Sequence, residues 1–162
     1  MPRLHLFTDG SVHTQSKFGM GAYLLLSDIN ASIDSLHDKV KLKRFDNTSS
    51  TKLELQTLLW AVNEVNTKDN GKDIVLTVYT DSQNIIGLPA RRMNLECVDY
   101  YSRKNKRLAN YELYQEFFRL TDTLNCTFIK MVGHQASSKK SGLDKLFSLV
   151  DRGARRALRE SV

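Results

Sequence analysis

Four acidic residues stand where their carboxylates could reach a single site. Asp9 and Asp81 each follow an apolar, strand-like segment, whereas Glu54 and Asp151 each border the apolar stripe of a helical pattern. Clustered carboxylates raise one another's pKa values unless cations neutralise them, and hard oxygen ligands select Mg²⁺ or Mn²⁺ over zinc. The sequence therefore predicts a divalent-metal site made of Asp9, Glu54, Asp81 and Asp151.

Such a carboxylate site suits the hydrolysis of a phosphodiester. Two ions about 4 Å apart would clamp the scissile phosphate, one activating the attacking water and the other stabilising the leaving 3′ oxygen. In-line attack would leave a 5′-phosphate and a 3′-hydroxyl. Taken singly, each acid is more often a turn residue, a helix cap or a solvated charge, so the hypothesis depends on all four converging.

Hydrophobic periodicity and turn residues predict the elements that must position these acids. Strands are expected over 3–8, 19–26, 39–45, 74–80 and 126–132, and the first should end in a turn at Asp9-Gly10-Ser11. Helices are expected after the hydroxyls of residues 48–51, after Asp81-Ser82, over 111–124 and from residue 143 onward. Pro89 is expected to break the second helix early.

The predicted order is β-β-β-α-β-α-α-β-α. It indicates an α/β fold with a five-stranded mixed sheet, in which strands 1–3 are antiparallel, strands 4 and 5 run parallel to strand 1, and helices flank the sheet. Ligands of open α/β sheets bind outside the carboxyl ends of the strands, so Asp9 and Asp81 should lie side by side. The length of 162 residues predicts one domain over 1–162.

The composition favours a polyanionic partner. The net charge is +6, and basic residues concentrate in segments 91–107 and 139–159 on either side of the predicted site region. The chain contains no run of about 18 consecutive apolar residues, so no membrane span is predicted. Cys97 and Cys126 are too few for a disulfide framework, and no signal peptide is evident, so we expect a cytoplasmic location. We also expect a monomer.

Four segments of the chain resemble motifs of the type 1 ribonuclease H family, which has the ribonuclease H-like fold. They are Phe7-Thr8-Asp9-Gly10-Ser11, Thr51-Lys52-Leu53-Glu54-Leu55, Tyr79-Thr80-Asp81-Ser82-Gln83 and Val150-Asp151-Arg152-Gly153-Ala154-Arg155. The resemblance implies an endonuclease that cuts the RNA strand of RNA–DNA hybrids, with two Mg²⁺ or Mn²⁺ ions held by Asp9, Glu54, Asp81 and Asp151.

The resemblance also implies roles for residues outside the metal set. His134 corresponds to a loop histidine that assists proton transfer and product release. The substrate-contacting set implied in this way is Gly10, Ser11, Ser49, Ser50, Thr51 and Gln83, with Arg91, Arg92, Lys104 and Arg107 from a basic protrusion that grips hybrid. An inserted Ser/Lys-rich loop over 135–142 separates His134 from Asp151 by more residues than is usual in the family.

Two alternatives remain open from the sequence. One is another nuclease of the same fold, of the resolvase, integrase or exonuclease type, but such enzymes differ in the helix motif and in the position of the last acid. The other is a module that binds hybrid or double-stranded RNA without cutting it. Four clustered negative charges would add nothing to a phosphate-binding face, so their presence favours the enzyme.

Overall fold

The computed structural model describes residues 2–68, 73–132 and 141–162. Their element order agrees with the predicted one, apart from two short 3₁₀ turns, Ile33–Ser35 and His37–Lys39, that the sequence pattern did not indicate. The elements are β1 (Arg3–His13), β2 (Phe18–Leu26), β3 (Lys41–Asp46), α1 (Ser50–Lys68), β4 (Val75–Thr80), α2 (Gln83–Cys97), α3 (Tyr111–Thr123), β5 (Asn125–Lys130) and α4 (Gly142–Ser161).

The five strands form one mixed sheet in the order β3-β2-β1-β4-β5. β1 pairs antiparallel with β2, and β2 pairs antiparallel with β3. β4 lies parallel to β1 and β5 lies parallel to β4. The predicted fold class is thus confirmed. Within the described residues, no helix is long and apolar enough to cross a membrane.

Strand β1 is longer than its sequence pattern indicated. The predicted turn at Asp9-Gly10-Ser11 is wrong, because the antiparallel ladder with β2 continues from Asp9↔Ala22 to His13↔Phe18. The chain reverses only after residue 13, and Lys17 adopts a positive φ of 53° just before β2. Pairing with a neighbouring strand has overridden the local turn preference of Asp-Gly.

Helix α2 also differs from the prediction, because Pro89 lies inside it and the helix continues to Cys97. Proline removes one backbone hydrogen bond. The apolar stripe nevertheless extends past it, since Ile85, Leu88 and Leu95 are all buried. Packing of these buried side chains, before and after Pro89, therefore stabilises the helix despite the lost hydrogen bond.

The sheet separates two layers of core. On one face, α1, α2 and α3 pack over Leu6, Leu76 and Val78. On the other face, α4 packs over Phe7, Leu24 and Tyr79 together with the segment that carries the 3₁₀ turns. Because side chains of a strand alternate between faces, odd-numbered residues of β1 near Phe7 point toward α4 and even-numbered ones toward α1.

Glycines in β1 and β2 allow α1 to approach the sheet closely. A Cβ atom added at Gly10 or Gly19 would lie 2.8 or 2.7 Å from Cδ2 of Leu53. A Cβ atom at Gly21 would lie 2.3 Å from the Thr57 hydroxyl oxygen. All three distances are below van der Waals contact. The first two turns of α1 therefore fill space that only glycine leaves open.

Gly21→Ala is expected to lower the free energy of unfolding by about 1–3 kcal/mol, because the new methyl group overlaps Thr57. Thr57→Ala in the same chain should restore most of the loss, since it removes the two nearest atoms and leaves only Cε2 of Phe45 at 3.1 Å. The Thr57 hydroxyl oxygen is buried and has no hydrogen-bond partner among the described residues, so its removal there breaks no bond. Urea denaturation followed by circular dichroism measures both effects.

Gly87→Ala is the matched control. Nothing lies within 4 Å of a Cβ atom added there. Because Gly87 lies inside α2, alanine should stabilise the protein by about 0.5–1 kcal/mol. Similar destabilisation by both glycine substitutions would contradict the close-packing explanation.

Candidate active site

Asp9 and Asp81 lie at matched positions at one end of the sheet. The parallel ladder between β1 and β4 ends at Phe7↔Tyr79, and each aspartate follows two residues later. Tyr79 and Phe7 stack with their ring centroids 4.4 Å apart, on the face that α4 covers. Asp9 shares that face of β1 because it is two residues from Phe7. The structure therefore brings these two carboxylates together at the carboxyl end of β4.

Glu54 reaches the same end of the sheet from the first turns of α1. The Ser82 hydroxyl donates a hydrogen bond of 2.6 Å to a Glu54 carboxylate oxygen. The same hydroxyl oxygen accepts a bond of 3.2 Å from the Ile85 backbone N–H and so caps α2. Ser82 is buried. One side chain thus fixes Glu54 to the start of α2, directly after Asp81.

Asp151 approaches from the opposite face, in the middle of α4. Its two carboxylate oxygens accept from Arg155, with distances of 3.1 Å to Nε and 3.0 Å to Nη2. The residues are four apart, so the pair lies along one face of the helix. Asp151 also shares a side-chain hydrogen bond with Asp9. Asp9 therefore interacts with both Asp81 and Asp151, and Glu54 interacts electrostatically with Asp81.

The electrostatics of the site show the effect of this crowding. Burial, followed by repulsion from Asp81 and the hydrogen bond with Asp151, raises the pKa of Asp9 to about 8. The Gly10 backbone opposes this shift by hydrogen bonding. Burial also raises the pKa of Glu54, and Asp81 adds to the shift, although the Ser82 hydrogen bond counteracts it. At neutral pH, Asp9 holds a proton that a nearby cation would displace.

These donors suit hard divalent cations, but their present arrangement is not a finished metal site. In the described part of the chain, no group of three or more His, Cys, Asp or Glu side chains is placed to hold an ion. Glu54 is hydrogen-bonded to Ser82, and Asp151 is bonded to Arg155 and to Asp9. A bound ion would have to compete with these neighbours for the carboxylate oxygens.

Other predicted site residues lie around this cluster with structural roles of their own. Ser49 caps α1, because its hydroxyl oxygen accepts from the Lys52 N–H at 3.3 Å. Ser50 and Thr51 form the first turn of α1. Gly10 lies under Leu53, and Ser11 pairs with Met20 within the sheet. His134 and most of the inserted loop over 135–142 lie outside the described residues.

Gln83 is exposed at the start of α2. Its side-chain oxygen accepts a 2.5 Å hydrogen bond from Lys130 at the end of β5. An amide and an ammonium group therefore stand together at the sheet end that carries Asp81. The sequence indicated Gln83 but gave no signal for Lys130.

The basic segment 91–107 consists of the last part of α2 followed by a folded turn in which Tyr101 bridges to Arg107. Arg92 pairs with Asp122 of α3 at 2.5 Å and with Glu96 at 2.8 Å. Arg107 pairs with Asp99 at 2.9 Å and lies over the Tyr111 ring. These two arginines join elements of the protein to one another.

Arg91 and Lys104 have a different environment. Both are exposed, and Arg91 donates to the neutral side chain of Asn84. Neither forms an ion pair with a carboxylate among the described residues. Of the four basic residues predicted to contact substrate, these two are therefore the best placed to pair with a phosphate.

Sequence reasoning missed two residues that hold the carboxylates. The Arg155 contact could have been found from its i, i+4 spacing to Asp151, which is a standard helical ion pair. The bond between Ser82 and Glu54 joins residues 28 positions apart. No local pattern predicts such a contact, since it depends on how α1 and β4 come together.

Known proteins resemble this chain in sequence pattern and in fold. The RNase H family model matches residues 1–155. The structure is similar to the crystal structure of LC9-RNase H1, a type 1 RNase H with the type 2 active-site motif, with TM-score 0.68, 16% identity, and coverage of 97% of this chain and 72% of that one. The solution structure of the PFV RNase H domain gives TM-score 0.71 and 15% identity over 94% of this chain and 92% of that one. These two likenesses show the fold, and no curated protein matches the sequence.

The raised pKa of Asp9 predicts how stability depends on pH in the absence of metal. The folded state keeps a proton on Asp9 from the ordinary value of 3.8 up to about 8, whereas the unfolded state loses it near 3.8. The free energy of unfolding should therefore fall as the pH rises through this window. Asp9→Asn should weaken that dependence and be more stable than the unaltered protein at pH 8 by at least about 1 kcal/mol.

Thermal or urea unfolding in EDTA across this pH range measures the effect. Asp34→Asn, which changes an exposed aspartate outside the site, serves as the control and should leave the profile unchanged. Stability that increased with pH, or an Asp9→Asn profile parallel to that of the unaltered protein, would show that Asp9 is not held in a protonated state.

Proposed function

Because this chain belongs to the RNase H family, we propose that it is a metal-dependent endonuclease that hydrolyses the RNA strand of RNA–DNA hybrids. The family supports a hydrolase that acts on such hybrids. The proposed cut leaves a 5′-phosphate and a 3′-hydroxyl. The observation that carries the proposal is that Asp9 interacts with Asp81 and Asp151, and Glu54 with Asp81, while burial and then repulsion from Asp81 raise the pKa of Asp9.

The four carboxylates are the proposed ligands of two Mg²⁺ or Mn²⁺ ions. The fit rests on the donor set, which is all oxygen, and on the burial and neighbouring negative charge that raise the pKa of Asp9. When bound, such ions lower the pKa of water and stabilise charge on the leaving oxygen. Binding should release the proton held on Asp9, so metal affinity should increase with pH.

The protein's own groups prepare this site in three ways. The Gly10 N–H favours the charged form of Asp9. The Ser82 hydroxyl stabilises the charged form of Glu54 and fixes its position next to Asp81. Arg155 holds Asp151 in one rotamer until a ligand competes for its oxygens. His134 is the proposed group for proton transfer and product release.

Residues around the cluster supply the proposed contacts to the hybrid. Gln83 and the backbone near Gly10 would contact the RNA minor groove and its 2′-hydroxyls, which distinguish RNA from DNA. Arg91 and Lys104 would contact phosphates. The described α-helices all pack on the one sheet, which supports the proposal of a single catalytic domain over residues 1–162. A monomer is the proposed oligomeric state.

Replacing either central aspartate should abolish metal-dependent cleavage. Asp9→Asn and Asp81→Asn each remove a proposed ligand and are expected to lower the cleavage rate by at least about 10³-fold while hybrid binding persists. The assay uses labelled RNA–DNA hybrid, double-stranded RNA and DNA duplex, with Mg²⁺ or EDTA, and analysis of the product ends. Only the RNA of the hybrid should be cut.

Asp34→Asn again provides the control and should cleave at the unaltered rate. Full activity of either variant, or cleavage that persists in EDTA, would remove the metal-site proposal. Equal cleavage of DNA duplex would favour a different nuclease of the same fold. Hybrid binding without cleavage by the unaltered protein would favour a binding module.

The two exposed basic residues should contribute to the salt dependence of binding. Arg91→Ala combined with Lys104→Ala is expected to reduce the slope of log K against log salt by up to about one unit for each lost phosphate contact. Arg92→Ala should change the slope less and stability more, because Arg92 joins α2 to α3 through Asp122. Equal slopes for all variants would show that this segment does not touch the hybrid.

A further inference from the structure

Strand β3 forms one edge of the sheet, on the side away from β5. Among the described strands it pairs with β2 alone, and all but one of its six residues are exposed. A strand at an edge presents backbone N–H and C=O groups to which another extended chain can pair. The proposed catalytic site makes no use of this edge.

Side chains of β3 alternate between two grooves that follow it on opposite faces of the sheet. Val40 and Leu42 line a groove of about 630 Å³ between this edge and α4. Lys41 and Lys43 line a groove of about 540 Å³ on the other face, beside Trp60 of α1. A strand added to this edge would direct its own alternate side chains into the two grooves.

The surroundings of the edge are basic. Three carboxylates nearby are paired, Asp46 with Arg44, Glu64 with Lys41, and Glu160 with Arg156. By contrast, Lys43, Arg152 and Arg159 have no ion-pair partner among the carboxylates of the described ranges. The net positive charge complements an acidic segment. It also opposes pairing between two copies of this same edge.

We propose that the β3 edge binds an acidic, extended segment of a partner protein, which adds to the sheet as a further strand. Apolar side chains of that segment would contact Leu42, which is 45% exposed although it is a large aliphatic residue. Acidic side chains would pair with Lys43 on the other face. A nucleic acid matches the charge but has no peptide groups to pair with a strand and no aliphatic side chains for the groove.

The test uses a fluorescent synthetic peptide of alternating Val and Glu, about six residues long, which is a typical strand length. Fluorescence anisotropy with the full chain should show saturable binding. Leu42→Asp and Lys43→Glu should each weaken it by about tenfold or more, through loss of an apolar contact and reversal of a charge. Ile129→Asp is the matched control, because Ile129 is an exposed aliphatic residue on β5, the opposite edge.

Two further peptides distinguish strand addition from charge attraction. A version that is N-methylated at alternate residues keeps its charge but loses backbone donors, and a Val-Lys version reverses the charge. Neither should bind. Equal binding of the methylated peptide, or absence of binding by the Val-Glu peptide, would overturn the proposal.

Competition with RNA–DNA hybrid tests the nucleic-acid alternative. The hybrid should not displace the peptide, and Leu42→Asp should bind and cleave hybrid like the unaltered protein. Displacement, together with weaker hybrid binding by Leu42→Asp, would assign this surface to nucleic acid instead. Because neither Leu42 nor Lys43 belongs to the carboxylate site, failure of the peptide experiment would leave the proposed nuclease activity unaffected.

Discussion

The close contact between α1 and the glycines of β1 and β2 is the constraint on which the site depends. Leu53 occupies the space above Gly10 and Gly19, and Glu54 is the next residue of the helix. A larger residue at either glycine would clash with the Leu53 side chain, which would have to shift beside Glu54. The packing of the α1 segment that carries Glu54 therefore depends on two positions in the sheet that have no side chain.

This packing places negative charges together where water is scarce, and the neighbouring groups offset only part of the cost. Arg155 offers a positive charge to Asp151, and Ser82 offers a hydroxyl to Glu54, whereas Asp9 keeps a proton. The arrangement is electrostatically unsatisfied at neutral pH. That imbalance is the property expected of a site that binds divalent ions.

The sequence predicted the order of the elements and the sheet because periodicity reports which faces are buried, and burial is the main contribution to folding. It failed at Asp9-Gly10 and at Pro89, where pairing with β2 and burial of Leu95 outweighed local preferences. It indicated Arg92 as a substrate contact, and the structure adds that this side chain pairs with Asp122. Contacts between distant segments do not appear in the hydrophobic periodicity of the sequence. The ion pairs that individual charged residues form therefore could not be predicted from the sequence alone.

The double role of Ser82 connects parts of the molecule that would otherwise be independent. A single hydroxyl caps α2 and holds Glu54, and the far end of α2 begins the basic segment. A tilt of α2 on contact with a nucleic acid would therefore disturb the bond that restrains Glu54. Thermodynamic linkage makes such an effect reciprocal, so cation binding at one end of the helix and polyanion binding at the other would each alter the affinity of the other.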